Sequence, residues 1–297
     1  MISKRHACLA TLLYADIFDY PLTASEVIYW SVLYENPRPF PKEVKKKKQF
    51  FIFPGREAII ATREKRRRWA GKKWGIARKV ARILRCIPTI ELIGVTGGLA
   101  MDNAKKEDDI DLFCIVAPGT IWTSRLLATM VVELLGKRRR PGDRMVANSV
   151  CLNMFMSSDA LMLPKGECDW YAAHEVLQMQ CIWEQKGTYQ KFLQANSWVK
   201  AFLPNAWNQK TRITNYELRI TKKQPILSQL IIKIMRFFEP MAKHVQLQYM
   251  KKHRTTEVVS DTVLRFHPQD ARLWVKRALA VRLKPYNIPL DKVFYAR

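Results

Sequence analysis

Apolar residues recur at helical spacing through the first part of the chain. Leu9, Leu12, Leu13 and Ile17 share one side of a predicted helix, and the Asp-Tyr-Pro-Leu-Thr run after it breaks the pattern. Thr23 and Glu26 then stand at the spacing of a capping box, in which each side chain satisfies a free backbone N–H of the first turn. A second helix is predicted from there, with Val27, Trp30 and Leu33 on one side. Beyond a charged loop, "QFFIFPGREAIIATR" gives two short apolar runs about Pro54 and Gly55, the pattern of a hairpin. Residues 72–85 return to helical spacing, with Trp74, Ile76, Ala77, Val80 and Ile83 facing one way and Lys72, Arg78, Lys79, Arg82 and Arg85 mostly the other.

From about residue 89 the period shortens to that of a strand. "IELIGVTGG" runs into a glycine pair, "DIDLFCIV" is a second strand, and "NSVCLNMFM" a third. Between the last two, "IWTSRLLATMVVELLG" reads as a helix with Trp122, Leu126, Met130 and Leu134 four apart. A segment expected to be helix-rich, containing "YAAHEVLQMQCIWEQ", follows. After Pro204 the pattern is mainly helical. Leu227, Leu230, Ile231, Ile234 and Phe238 form an amphipathic stripe, Pro240 ends or kinks that helix, and "LRFHPQDARLWVKRALAVRLKPY" adds a basic helix. The order predicts an α+β protein with a small mixed sheet. At 297 residues two or three domains are expected, and the changes of period divide the chain into residues 1–88, 89–205 and 206–297. Helix, turn, helix and hairpin make the first part resemble a small winged helix, a fold used on DNA and also for protein docking.

Charge adds a partner class to this outline. Lys and Arg number 51 against 26 Asp and Glu, a formal charge of +25, which attracts polyanions well beyond contact distance. Nucleic acid is the expected partner and anionic lipid the second. The basic runs lie at 45–48, 65–69, 72–85 and 137–144, and the candidate nucleic-acid contacts are Lys65, Arg66, Arg67, Arg68, Lys72, Lys73, Arg138, Arg139 and Arg140. No apolar stretch is long enough to span a bilayer, because the greasiest two are interrupted by Arg125, Glu133, Lys233 and Arg236. Six scattered cysteines form no Cys-x-x-Cys pair, and no secretory leader is recognisable, so reduced thiols in the cytoplasm are expected.

Chemistry concentrates where the second strand opens. Residues two apart on a strand share a face, so Asp109 and Asp111 project together while Ile110 turns into the core. Like charges at that distance repel unless a cation neutralises them, and Mg²⁺ (or Mn²⁺) is the fitting ion for oxygen ligands. Gly97 and Gly98, at the end of the preceding strand, lack Cβ atoms and can bring backbone N–H groups against a phosphate. Metal on the carboxylates and triphosphate on the turn would make one site.

Thr-Gly-Gly followed by Asp-Asp-Ile-Asp-Leu-Phe resembles the signature of the DNA polymerase beta-like nucleotidyltransferase superfamily, over the middle part of the chain. The whole layout is similar, more loosely, to uncharacterised bacterial nucleotidyltransferase-domain proteins. The resemblance implies transfer of a nucleoside monophosphate from a nucleoside triphosphate to an acceptor by two-metal catalysis, with nucleic acid the expected acceptor. It implies that Thr96, Gly97 and Gly98 cradle the triphosphate and that Asp109 and Asp111 hold the metals. Arg125, one turn into the next helix, is a candidate phosphate contact or else a surface arginine near a helix N-terminus. The sequence departs from the pattern in two places. Asn153 stands at the best candidate position for the third carboxylate, with Asp143 and Asp159 nearby, and Asp102 occupies a turn position where glycine is frequent. A second reading is therefore a catalytically impaired scaffold kept as a nucleic-acid-binding protein. His174 and His267 have no partners at metal-ligand spacing and are expected to be structural.

Overall fold

A computed structural model of the protein describes residues 2–34, 38–140, 142–143, 145–217, 226–251, 258–266 and 271–295. His267 and the rest of 267–270 lie outside the described residues. The chain opens with α1 (Lys4–Asp16), capped by Ser3 and buried along nearly its whole length from Ala7 onward. β1 (Leu22–Thr23) leads into α2 (Ala24–Tyr29), which begins with the expected capping box: Glu26 N donates to Thr23 Oγ1 and Thr23 N to Glu26 Oε2.

The hairpin is displaced from its expected place. β2 (Lys45–Lys47) and β3 (Phe50–Ile52) pair antiparallel, so the chain turns at 48–49 and the lysine run is an exposed edge strand. The sheet order is β1-β3-β2. Edge lysines of this kind discourage pairing with another chain. Among the described residues no third helix lies between α2 and this hairpin. Pro54 and Gly55 close β3 and lead into α3 (Ala58–Leu84), 27 residues long, which absorbs the run read as a second strand. Its buried row includes Ile59, Ile60, Arg66, Ala70, Lys73, Ala77, Val80, Ala81 and Leu84. Two cations occupy core-facing positions, which hides the helical period of the apolar residues.

The central sheet begins with β4 (Ile90–Val95), followed by a single turn, α4 (Gly97–Ala100), then β5 (Ile110–Val116), α5 (Ile121–Leu134) and β6 (Val150–Ser157). β5 and β6 run parallel because α5 carries the chain back across one face. The buried side of α5 is Ile121, Trp122, Ser124, Ala128 and Val132, whereas Met130 and Leu134 of the expected stripe are exposed. α6 (Trp170–Gln178) ends at Met179, and β7 (Gln180–Glu184) then pairs with β4, so half of the segment expected to be helical is an edge strand. α7 (Thr188–Ala195), α8 (Pro204–Glu217), α9 (Ile226–Phe237) and α10 (Glu239–Met250) follow, with Pro240 in the first turn of α10.

The last part of the chain contributes more than helices. β8 (Val258–Val259) and β9 (Val263–Arg265) complete a six-stranded mixed sheet of order β7-β4-β5-β6-β9-β8 before α11 (Ala271–Leu283) and α12 (Asp291–Phe294). Leu92, Phe113, Ile115 and Met156 face one core, shared with α1, α6 and α11. Ile93, Ile110, Leu112, Cys114 and Phe155 face the other, shared with α3, α5 and α10. No helix among the described residues is long and apolar enough to cross a membrane.

Candidate functional site

The site forms where β4 ends beside the start of β5. Thr96 N donates to Asp111 O at 3.1 Å, which ties the glycine turn to the strand carrying the carboxylates. Gly97 has φ +64, and a Cβ added there would lie 2.8 Å from Asp111 Oδ2. Glycine is thus required twice, by the backbone conformation and by the carboxylate pressed against it. Gly98 is exposed beside it, and Asn103 N donates to Gly98 O at 2.8 Å to close the turn.

Asp109 and Asp111 share a face, as strand alternation requires. One oxygen of each and Cys151 Sγ lie within 4.8 Å of one another. Asp109 Oδ2 accepts from Arg139 at 2.5 Å. Burial, then the Asp109 charge, pushes the Asp111 carboxyl up to about 7, against the pull of Arg139. Asp108, the third acid of the run, has a structural role: its Oδ2 accepts from Lys105 N at 2.8 Å.

Both strands supply the neighbours. Asp111 is in register with Cys151, so Cys151 and not Asn153 stands directly beside it on β6. The pairing then slips, with Leu112 opposite Leu152 and Phe113 opposite Met154, and Asn153 is the extra residue of a bulge. Asn153 is 4% exposed, and its Oδ1 has no hydrogen-bond partner. Burial pushes the Cys151 thiol up, so it stays protonated and is a weak ligand for a hard cation. Asp143 accepts from Arg140 N and Asp159 from Ser157 Oγ, and neither joins the cluster.

Asp111, Gly97, Gly98 and Asn153 line a cavity of about 400 Å³ between the sheet, α1 and α6. Glu175 on α6 lines it too, and burial raises its carboxyl to about 7. Its charge is among the influences that push Asp111 up. Glu175 was not legible as a site residue, although Tyr171, Glu175 and Gln178 form a partly exposed row on a helix otherwise buried. The two β5 carboxylates fit a divalent cation. Among the described residues Arg139 is the cation paired with them, through Asp109, and burial together with the Asp109 charge raises the Asp111 carboxyl.

The cations read as nucleic-acid contacts divide sharply. Arg66 is buried and donates to Phe18 O, Asn103 Oδ1 and Asp19 Oδ2. Lys73 is 1% exposed and donates to the backbone carbonyls of Lys106 and Asp108 and to Asn148 Oδ1, fixing the loop before the aspartates. Arg138 and Arg140 pair with Glu133, and Arg139 is the counter-ion of Asp109. Lys65, Arg67, Arg68 and Lys72 remain exposed on α3, which packs across the face of the sheet opposite the cavity. Arg125 also lies on that opposite face, donating to Gln246 Oε1 at 2.5 Å with its guanidinium 4.2 Å from the Phe266 ring. It does not join the glycine turn. No protein-family profile, curated protein or solved structure matches this chain.

Proposed function

We propose that the protein is a metal-dependent nucleotidyltransferase, moving a nucleoside monophosphate from a nucleoside triphosphate to an acceptor. The supporting observation is the packing of Asp111 Oδ2 against the Gly97 turn, with Asp109 beside it, which puts a turn suited to phosphate next to a pair of carboxylates. Asp109 and Asp111 would hold Mg²⁺ or Mn²⁺, which when bound neutralises phosphate charge and favours attack at phosphorus. In the reaction an acceptor oxygen bonds to the α-phosphorus, the bond to the β-phosphate oxygen breaks and pyrophosphate leaves. Thr96, Gly97 and Gly98 orient the triphosphate. Arg139 holds Asp109 in place, and Glu175, which lines the cavity with Asp111 and whose carboxyl burial raises, would accept the proton of the attacking group.

Nucleic acid is the acceptor class that the net charge favours, and Lys65, Arg67, Arg68 and Lys72 on α3 offer it a binding surface on the face away from the cavity. The same surface supports a second reading, a scaffold that binds nucleic acid without turnover, favoured by Cys151 and Asn153 on β6 where a carboxylate would be expected. Transfer of label from α-labelled nucleoside triphosphates to RNA, DNA or protein, with Mg²⁺ or Mn²⁺, separates the two. The wild type is expected to label one acceptor class, and Asp109→Ala/Asp111→Ala to label none. Equal labelling by both proteins would overturn the assignment, and no labelling with salt-sensitive nucleic-acid binding in both would favour the scaffold.

A further inference from the structure

α9 and α10 meet at Phe238 without a break in the helical winding. Phe238 has φ −85 and ψ −1, its N–H donates to Ile234 O at 3.2 Å, and Ala242 N donates to Phe238 O at 3.0 Å, so helical bonds run through the junction. The two helices therefore share one set of faces. Ile232, Met235, Ala242, Gln246 and Met250 form the buried one. Next to it runs a second apolar row that the fold leaves exposed. Leu227, Leu230, Ile234, Phe237 and Phe238 begin it, and Met241, Val245 and Tyr249 continue it at three- and four-residue spacing. Each of these side chains is between 44% and 79% exposed. At the rise of a helix the row is roughly 30 Å long. Single exposed apolar residues are ordinary on a protein surface, but a contiguous row of this length marks a surface that meets something apolar.

Charge chooses the partner. Residues 222–254 carry eight Lys and Arg and a single acid, Glu239. That acid is already engaged: its carboxylate accepts from Trp122 N, Thr123 N and Thr123 Oγ1 at the start of α5. Lys233 and Lys251 are exposed, and helical spacing places both along the flank of the row that is away from the buried face. An apolar row beside positive charge matches the boundary between headgroups and acyl chains of an anionic bilayer, into which such helices sink by about 5–10 Å. A second copy of this chain would bring the same positive charge to the row, and a nucleic-acid duplex offers phosphates but no apolar surface of this length.

We propose that α9 and α10 dock the protein on an anionic membrane surface, lying along the bilayer and not through it. Their inner face packs on the core of α3 and α5, across the sheet from the cavity. The docking surface is thus separate from the proposed chemistry and does not depend on it.

The test is flotation of the full chain with vesicles of phosphatidylcholine alone and of equimolar phosphatidylcholine and phosphatidylserine. The anionic vesicles are expected to bind the protein, and the neutral ones at least about tenfold more weakly. Leu230→Gln/Phe237→Gln/Met241→Gln, at three exposed positions, should weaken binding at least about tenfold and leave thermal unfolding unchanged. Lys233→Gln/Lys251→Gln should weaken it about tenfold at low salt, as the loss of two charges near a lipid surface does. Replacing Lys65, Arg67, Arg68 and Lys72 of α3 by glutamine should weaken it less than the apolar variant does. Undiminished binding by the apolar variant would overturn the proposal, because charge alone would then hold the protein to lipid. Binding to neither kind of vesicle would overturn it as well. So would a dimer in sedimentation velocity that comes apart in the apolar variant, which would assign the row to a second copy.

Discussion

Asp111 is the residue at which burial and charge are most sharply opposed. An unfolded carboxyl of this kind loses its proton near pH 3.9, whereas burial and Asp109 hold the folded one up to about 7. Between those values the native state carries the extra proton, so stability falls as pH rises through the window. Glu175, also raised to about 7 by burial, acts in the same direction. Without divalent cations the wild type is therefore expected to lose thermal stability between pH 5 and pH 8. Asp111→Asn should lose less, by an amount on the order of 1–3 kcal/mol. Added Mg²⁺ or Mn²⁺ should restore stability at pH 8 in the wild type and not in the variant. Parallel melting curves for the two proteins across that range would show that Asp111 is not held protonated.

At the scale of elements, local pattern served well where apolar residues alone set the period. The Thr23–Glu26 box, β4, β5 and β6 all stand where their spacing places them. The second half of α3 stands where the spacing of 72–85 places a helix, but its first half was not legible, because Arg66 fills a core-facing position of the stripe and its partners at Phe18 and Asn103 are distant in sequence. β7 follows α6 across the single residue Met179, with no Gly or Pro to mark the change. In the site, strand alternation placed Asp109 and Asp111 together. The facing of Cys151 depends on strand register and that of Glu175 on helix docking, and neither is written locally. Lys73 gives a direct test of this account. Lys73→Ala should cost about 1–3 kcal/mol in denaturant unfolding, since it removes a buried side chain that donates to three acceptors of the surrounding loops. Its neighbour Lys72, exposed on the same helix, should change stability by less than about 0.5 kcal/mol when replaced by alanine. Equal effects would contradict the burial of Lys73.

For the whole molecule, the core around α1 joins residues from all three parts of the chain, from Cys8 to Phe294. The sheet separates two surfaces with different chemistry. One carries the cavity with its carboxylates, and the other carries α3, whose exposed Lys65, Arg67, Arg68 and Lys72 are one part of the charge open to a polyanion. Replacing these four by glutamine should weaken nucleic-acid binding and flatten its salt dependence by roughly 0.7–0.9 in log–log slope for each phosphate contact removed. Replacing Arg138 and Arg140, already paired with Glu133, should flatten it less. A slope insensitive to the α3 cations would move the binding face elsewhere.

The claim on which the functional account depends is that Asp109 and Asp111 together bind a divalent cation. The most direct measurement is Mn²⁺ binding to the full chain, followed by loss of the free-ion electron paramagnetic resonance signal, in wild type and Asp109→Asn/Asp111→Asn. The account predicts a saturable site in the wild type that tightens when a nucleoside triphosphate is added and is lost in the double variant. Equal Mn²⁺ binding by the two proteins, or none by the wild type with triphosphate present, would contradict it.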